Sequence, residues 1–268
     1  MRIYFSKYQG AGNDFVMLDN RDSQFREWSS SQNIAALCNR RTGIGADGLI
    51  LLENDLALDF RMIYYNADGS ESTMCGNGGR CIIAFARHLG LIVNETEFEA
   101  IDGVHYGKIE NFNQVHLSMQ DVPAIEKSGA DYILDTGSPH FVRWSEDSIE
   151  KVDVVGTGKS IRYNERFKEK GINVNLIQES ENALWVRTYE RGVEDETLSC
   201  GTGVTAAALV FAKEKGLRGE HTIDIITKGG NLKVSFTSDD EGFKNIWLIG
   251  PAQLVFKGEI DSDFFVQS

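Results

Sequence analysis

Apolar residues gather along this chain in two kinds of run. Short ones, such as Ile3 to Phe5, Leu49 to Leu52 and Phe60 to Tyr65, have the length of strands. Two others, Cys81 to Ala86 and Val204 to Phe211, are apolar nearly all round and read as helices. Gly90 and Gly216 stand where each would need a C-terminal cap. A helix that offers water no polar face is a buried helix. A further helix-like run, Ile34 to Arg40, precedes the strand at Leu49, and a last strand is predicted near Gln253 to Phe256.

The segments around the two apolar helices echo each other. Residues 60 to 90 read FRMIYYNADGSESTMCGNGGRCIIAFARHLG, and residues 185 to 216 read WVRTYERGVEDETLSCGTGVTAAALVFAKEKG. An offset of 125 carries Tyr64 onto Tyr189, Glu71 onto Glu196, and Cys75-Gly76 with Gly78 onto Cys200-Gly201 with Gly203. The echo extends outward: Gly12-Asn13 before Phe15-Val16 matches Gly137-Ser138 before Phe141-Val142, and Asp102-Gly103 matches Gly229-Gly230. Repetition in one order at nearly one offset points to a single unit used twice. Each copy runs strands, a Gly- and Asp-rich loop, a cysteine and a buried helix, which suggests a sheet curled around that helix. The expected fold is α+β, with two pseudo-symmetric lobes and an active-site cleft between them. The first lobe is expected at residues 1–119, joined by about 252–268, and the second at 120–251.

Composition narrows the chemistry. The chain has 268 residues, 41% hydrophobic and 25% charged, enough for one large core or two modest ones. Its 27 basic and 40 acidic side chains leave a formal charge of −13, which speaks against nucleic acid and against an anionic membrane as partners. No apolar run approaches the ~20 residues of a membrane-spanning helix, and no charged-then-apolar leader opens the chain. A cytoplasmic protein with a small-molecule partner is expected. Its cysteines, Cys38, Cys75, Cys81 and Cys200, should be reduced. None has the C-x-x-C spacing, and no metal is expected.

Cys75 and Cys200 each stand immediately before a glycine-rich helix start. The first turn of a helix leaves N–H groups unpaired at the positive end of the dipole. Both effects stabilise a thiolate and lower a cysteine pKa. Glycines there let a ligand approach the backbone, and two such starts facing one cleft would cradle a carboxylate. An α-amino acid so held would place its α-carbon between two sulfurs. One could remove the α-proton while the other delivers a proton to the opposite face. Charge on the developing carbanion would spread onto the carboxylate, toward those N–H groups. This design needs no cofactor. Cys38 and Cys81, inside apolar helical stretches, read as small buried hydrophobes. Arg80 reads as structural, and His88, His105, His116 and His221 as surface or packing residues.

At these residues the sequence resembles diaminopimelate epimerase. The matching blocks are GAGNDFV (10 to 16), RRTGIGADG (40 to 48), NADGSESTMCGNGGRC (66 to 81), GSPHFV (137 to 142) and ERGVEDETLSCGTG (190 to 203). The resemblance implies barrel-like, mostly antiparallel lobes and a pyridoxal-independent enzyme. Such an enzyme interconverts LL- and meso-2,6-diaminopimelate on the way to lysine and peptidoglycan precursors. It implies Cys75 and Cys200 as the acid/base pair, with Gly76-Asn77 and Gly201-Thr202 around the α-carboxylate. His140 and Glu190 are then expected beside the reacting centre. Asn13, Asn66, Asn173 and Arg191 are expected to hold the substrate, especially its distal end. Ser138 and Gly48 depart from some members, which place asparagine and glutamine there. Family members are often homodimers, which leaves a homodimer open to this chain. Phe256 stands where some use a tyrosine at the dimer contact.

The same residues admit other readings. Asn13 and Asn66 also suit turns, Arg191 a surface ion pair, and His140 a hydrogen-bonded core position. Gly43 to Gly48 match G-x-G-x-x-G, but a helix precedes and a strand follows, the reverse of a dinucleotide site. Gly156 to Ser160 resemble the end of a phosphate loop whose first glycine would fall at Asp153. A proline or hydroxyproline racemase of the same fold would share the cysteine pair without a distal carboxylate site. A non-catalytic thiol redox sensor or amino-acid-binding protein would need no acid/base pair.

Overall fold

In the computed structural model, which describes residues 2–111 and 114–266, the strands β1 (Arg2–Gly10) and β2 (Asn13–Asp19) form a hairpin. Its turn places Gly12 at φ 96°, a conformation that favours glycine. Helix α1 (Ser31–Cys38), capped by the Ser30 side chain, carries the chain to β3 (Gly48–Glu53), which lies parallel to β2. Strands β4 (Phe60–Asn66) and β5 (Glu71–Ser72) turn back antiparallel, and α2 (Gly76–His88) leads to β6 (Glu95–Ala100), parallel to β4. Strands β7 (Gly103–Asn111) and β8 (Gln114–Ser118) continue antiparallel. Parallel neighbours occur where a helix makes the crossover, because a short turn cannot return the chain in the same direction.

The next segment repeats this plan. Strands β9 (Glu126–Ser128), β10 (Asp131–Asp135) and β11 (Pro139–Trp144) are antiparallel. Helix α3 (Val154–Arg162) crosses to β12 (Asn173–Glu179), parallel to β11. Strands β13 (Leu184–Glu190) and β14 (Asp195–Thr197) follow, and α4 (Gly201–Lys215) crosses to β15 (Gly219–Thr227), parallel to β13. Strands β16 (Gly230–Asp239) and β17 (Gly242–Gly250) end the series. The last strand, β18 (Gln253–Asp261), pairs antiparallel with β1, and α5 (Asp263–Val266) follows it. The chain divides into two compact units: one holds the chain to Leu117 and again from Gly250, the other runs Ser118–Ile249.

Each unit wraps its sheet around one helix. Helix α2 touches β1, β2, β3 and β7, and α4 touches β10 through β13 with β15 and β16. Contact with strands from distant parts of one sheet requires that sheet to curl. The fold is thus α+β, with curled, mostly antiparallel sheets. In the first unit β2 and β3 are buried on both faces, which explains their unbroken apolar runs. Val16, Leu18, Leu49 and Leu51 pack with Ile34 and Leu37 of α1. Phe15 and Ile50 line the other side, where a Cβ on Gly78 of α2 would meet them. In the second unit Phe141, Val174 and Leu176 pack with Val154 and Ile161 of α3. Gly216 caps α4 at φ 65°, and Gly90 follows α2 at φ 74°.

The registers test the sequence echo residue by residue. Phe15 lies opposite Gly48 and His140 opposite Asn173, so the offset of 125 holds across the parallel joints. Tyr65 pairs with Glu71, and Tyr189 with Glu196. The counterpart of Tyr189 is therefore Tyr65, not Tyr64. The second copy is one residue shorter between these strands and the crossover, and a strand's side chains change face with each residue.

Candidate active site

Cys75 occupies the N-cap of α2 in extended conformation, and its carbonyl accepts the first helical bond from Gly79 N–H at 2.7 Å. The side chain makes no capping bond, and the cysteine is half-buried. Glycines follow because the turn is crowded: a Cβ on Gly79 would lie 2.8 Å from Met74 Sδ and 2.9 Å from Leu117.

Behind this turn runs a polar chain. Asn77, fully buried, donates through Nδ2 to Asn13 Oδ1, and Asn13 Nδ2 donates to Asp47 Oδ2 at 2.9 Å. Arg40 ties Asp47 to Asp14, and Lys7 pairs with Asp14 at 2.8 Å. At the other end Arg80 Nη2 donates to Asn77 Oδ1 at 2.7 Å, and Nη1 to the Gly76 carbonyl at 3.2 Å. The ends orient both amides, since a guanidinium can only donate and a carboxylate can only accept. Two residues singled out in the sequence, Asn13 and Asn77, are thus directly bonded. Asn66 instead donates to Ser70 Oγ at 3.2 Å within its own turn. Gly48 lies opposite Asn66, and a Cβ there would stand 2.4 Å from the Tyr65 carbonyl, so no side chain fits.

In the second unit Cys200 is the N-cap of α4, with Val204 N–H on its carbonyl at 2.9 Å. It is buried, and its sulfur lies 3.5 Å from Thr202 Oγ1. The Thr136 hydroxyl bonds the Thr202 carbonyl at 2.9 Å and fastens this first turn to the loop before β11.

Beside it lies a group that the sequence did not mark as a unit. His140 on β11 is fully buried, and its Nδ1 meets Asn175 Nδ2 on β12 at 3.0 Å. Asn175 Nδ2 also donates to the Phe141 carbonyl at 3.1 Å, while Oδ1 accepts from Thr188 Oγ1 at 2.9 Å. Those partners set the amide with nitrogen toward the ring. His140 Nδ1 must then accept, which places the ring proton on Nε2. Nε2 is buried without a partner. Burial, reinforced by the Arg191 charge, pushes the His140 pKa down to about 3, so the ring is neutral. A Cβ on Gly203 would stand 2.4 Å from Asn175 Oδ1, so that glycine admits the amide under α4. His140 and Asn175 fill the places of Phe15 and Ile50 in the first unit.

Asn173 joins the remaining predicted residues. Its Nδ2 donates to Ser138 Oγ at 2.8 Å and the Pro139 carbonyl at 3.2 Å, and its Oδ1 accepts from Arg191 N–H at 2.9 Å. Ser138 Oγ thus accepts from Asn173, and its own proton is not used in that bond. Arg191 is exposed, with Nη1 on the Lys170 carbonyl at 3.1 Å. Glu190, at the end of β13, is half-buried, and burial raises its carboxyl against the Thr197 hydroxyl nearby. Gly156 to Ser160 lie inside α3, whose N-cap Asp153 accepts from Gly156 N–H at 2.8 Å, so the apparent phosphate loop is helix. Among the described residues no helix is long and apolar enough to cross a membrane.

A family model described as diaminopimelate epimerase matches residues 5–122 and 132–255 of the chain. A diaminopimelate epimerase from Flavobacterium psychrophilum is 49% identical over 261 residues, covering 97% of this chain and all of the relative. One from Aquifex aeolicus is 39% identical, covering 97% and 98%. Among solved structures, a phenazine biosynthesis protein of the PhzF family from Bacillus anthracis superposes with a TM-score of 0.75 at 15% identity, covering 97% of this chain and 99% of that one. A hydroxyproline epimerase from Agrobacterium vitis does so with a TM-score of 0.67 at 12% identity, covering 97% and 91%. At such identities the likeness is one of fold.

Proposed function

The chain belongs to the diaminopimelate epimerase family and is an isomerase, and on that premise we propose that it interconverts LL- and meso-2,6-diaminopimelate by proton transfer between Cys75 and Cys200. One thiolate takes the α-proton and becomes a thiol. The opposite thiol gives its proton to the other face and becomes the thiolate, so nothing is oxidised or reduced and the roles reverse in the return direction. The reading requires one sulfur from each unit to meet the same α-carbon from opposite faces. The N–H groups of the first turns, at Gly76-Asn77 and Gly201-Thr202, receive the α-carboxylate and the charge that builds on it. His140, as a neutral Nε2–H donor, and Glu190 stand beside the reacting centre. Asn13, Asn66, Asn173 and the Arg191 guanidinium take the substrate's remaining polar groups, the distal carboxylate above all. The reaction serves lysine and peptidoglycan-precursor synthesis and uses no cofactor.

One observation carries this reading. The same topological position in both units, the N-cap of the central helix, holds a cysteine followed by glycine. A homodimer in the cytoplasm accords with it. Leu254, Val255 and Phe256 leave apolar side chains exposed on β18 for a second copy.

The test is isotopic. The purified protein, without added cofactor, is run from the LL isomer in deuterated water and stopped early. The donating thiol has exchanged with solvent, so meso product should carry deuterium at its new centre. The accepting sulfur holds the original proton, so recovered LL substrate should carry little. Comparable early labelling of both pools would point to a single base and sink the two-cysteine reading.

A further inference from the structure

Arg80 is the largest fully buried side chain among the described residues, and no ion pair described there includes it. Its hydrogen bonds go to the Gly76 carbonyl and Asn77 Oδ1, and its Nε has no partner. A buried cation without an anion is strongly destabilising, by several kcal/mol. Burial pulls its pKa down to about 10, against the opposing pull of the thiols of Cys81 and Cys75. A negative charge close by would offset that cost.

Several ionisable groups on α2 and on the elements packed against it are already neutral or paired. Cys81 is fully buried, and burial pushes its thiol up to about 12, so it is neutral. Tyr8 on β1 is pushed up by burial too, and its hydroxyl bonds His88. Asp14 on β2 is held by Lys7 and Arg40, and Asp47 by Arg40 and Asn13. Asp102, just before β7, pairs with His105 at 3.2 Å and accepts from Met74 N–H. Cys75 is the N-cap of Arg80's own helix, and the Gly76 carbonyl that Arg80 Nη1 binds at 3.2 Å belongs to the very next residue.

We propose that Arg80 is a positioning residue of the first half-site: its buried guanidinium is the resident counter-charge of the Cys75 sulfur, keeping it a thiolate while aiming the Asn77 amide. This rests on the reading of Cys75 as an acid/base group. The two half-sites differ here. The offset of 125 puts Thr205 at Arg80's place on α4, where its neutral hydroxyl bonds the Gly201 carbonyl at 3.0 Å. The proposed device belongs to the Cys75 helix, since the equivalent position on α4 carries no charge of its own.

The experiment reads thiol ionisation directly. The rate of alkylation by iodoacetamide is followed against pH, peptide by peptide, in the native protein, Arg80→Met and Arg80→Lys. In Arg80→Met the Cys75 profile should move up by at least about one pH unit and its rate at pH 7 should fall about tenfold, while the Cys200 profile stays in place. Arg80→Lys, which keeps the charge, should restore most of the shift. An unmoved Cys75 profile in Arg80→Met, or Arg80→Lys shifted as far as Arg80→Met, overturns the proposal. If neither variant folds, native protein and Cys75→Ser still test its premise, a Cys75 thiolate in the folded state, by urea unfolding from pH 5 to 9. A thiol held low in the folded state adds stability above its unfolded pKa, about 8.5, and loses it as pH falls through the folded value. Native protein should therefore gain on Cys75→Ser as pH rises, and parallel curves overturn the proposal. Turnover of LL-diaminopimelate is measured beside these. A shift without turnover condemns the epimerase reading alone, and turnover without a shift condemns the counter-charge alone.

Discussion

At the scale of the residue, the turn that opens α4 lies beside a histidine held neutral by its surroundings. Asn175 occupies Nδ1, and burial holds the ring neutral down to about pH 3. The ordinary histidine value is about 6.5, so between these limits the unfolded chain binds a proton that the folded one does not. Stability should fall as pH drops below about 6.5, by up to ~1.4 kcal/mol per pH unit from this group. His140→Gln should flatten that slope, measured as urea midpoints at pH 7 and pH 5. Histidine-selective NMR of the native protein should show the proton on Nε2 across that range. A His140 ring that titrates near 6.5 would contradict the assignment.

At the scale of the element, the two central helices share a start but differ beneath it. Alanine in place of a helical glycine ordinarily gains about 1 kcal/mol. On α2, Gly78→Ala would bring a Cβ to 3.1 Å from Ile50 Cδ1, the mobile end of a side chain, so the gain should largely survive. On α4, Gly203→Ala would put it 2.4 Å from Asn175 Oδ1, on an amide bonded to His140, Phe141 and Thr188. That amide has nowhere to go, and overpacking of this kind costs about 1–3 kcal/mol. Gly203→Ala should unfold at lower urea and lose most epimerase activity, while Gly78→Ala stays near the native midpoint. Equal midpoints and equal kcat/KM would show that Asn175 is not held as described.

At the scale of the whole molecule, the repeated unit gives each half its own sheet, crossover helices and central helix, while β18 returns the C-terminal strand to the first unit. That strand exposes Phe256 at 46% although it edges Phe5, with ring centroids 5.9 Å apart. In the proposed homodimer Phe256→Asp removes an aromatic contact and adds a charge. It should weaken self-association by about 2 kcal/mol or more, ~30-fold in Kd, as read by sedimentation velocity. A native protein that sediments as a monomer at all concentrations contradicts the homodimer.

Period and spacing in the sequence determined the strands at Leu49 and Phe60, both buried helices and the doubled plan, because each signal is local or repeats at one offset. They also singled out Cys75 and Cys200, since a cysteine before glycine at a helix start is a local arrangement. The one-residue slip at Tyr65 was beyond them, because register is set by pairing and not by spacing. Asn175 reads as one more polar position in a strand until β11 and β13 supply His140 and Thr188. Arg80 reads as a structural arginine one turn into the helix, and only the sheet closing over α2 removes it from water. Burial and partners distant in the chain exist only once it has folded, and they decide which charged groups are paired and how each amide is oriented.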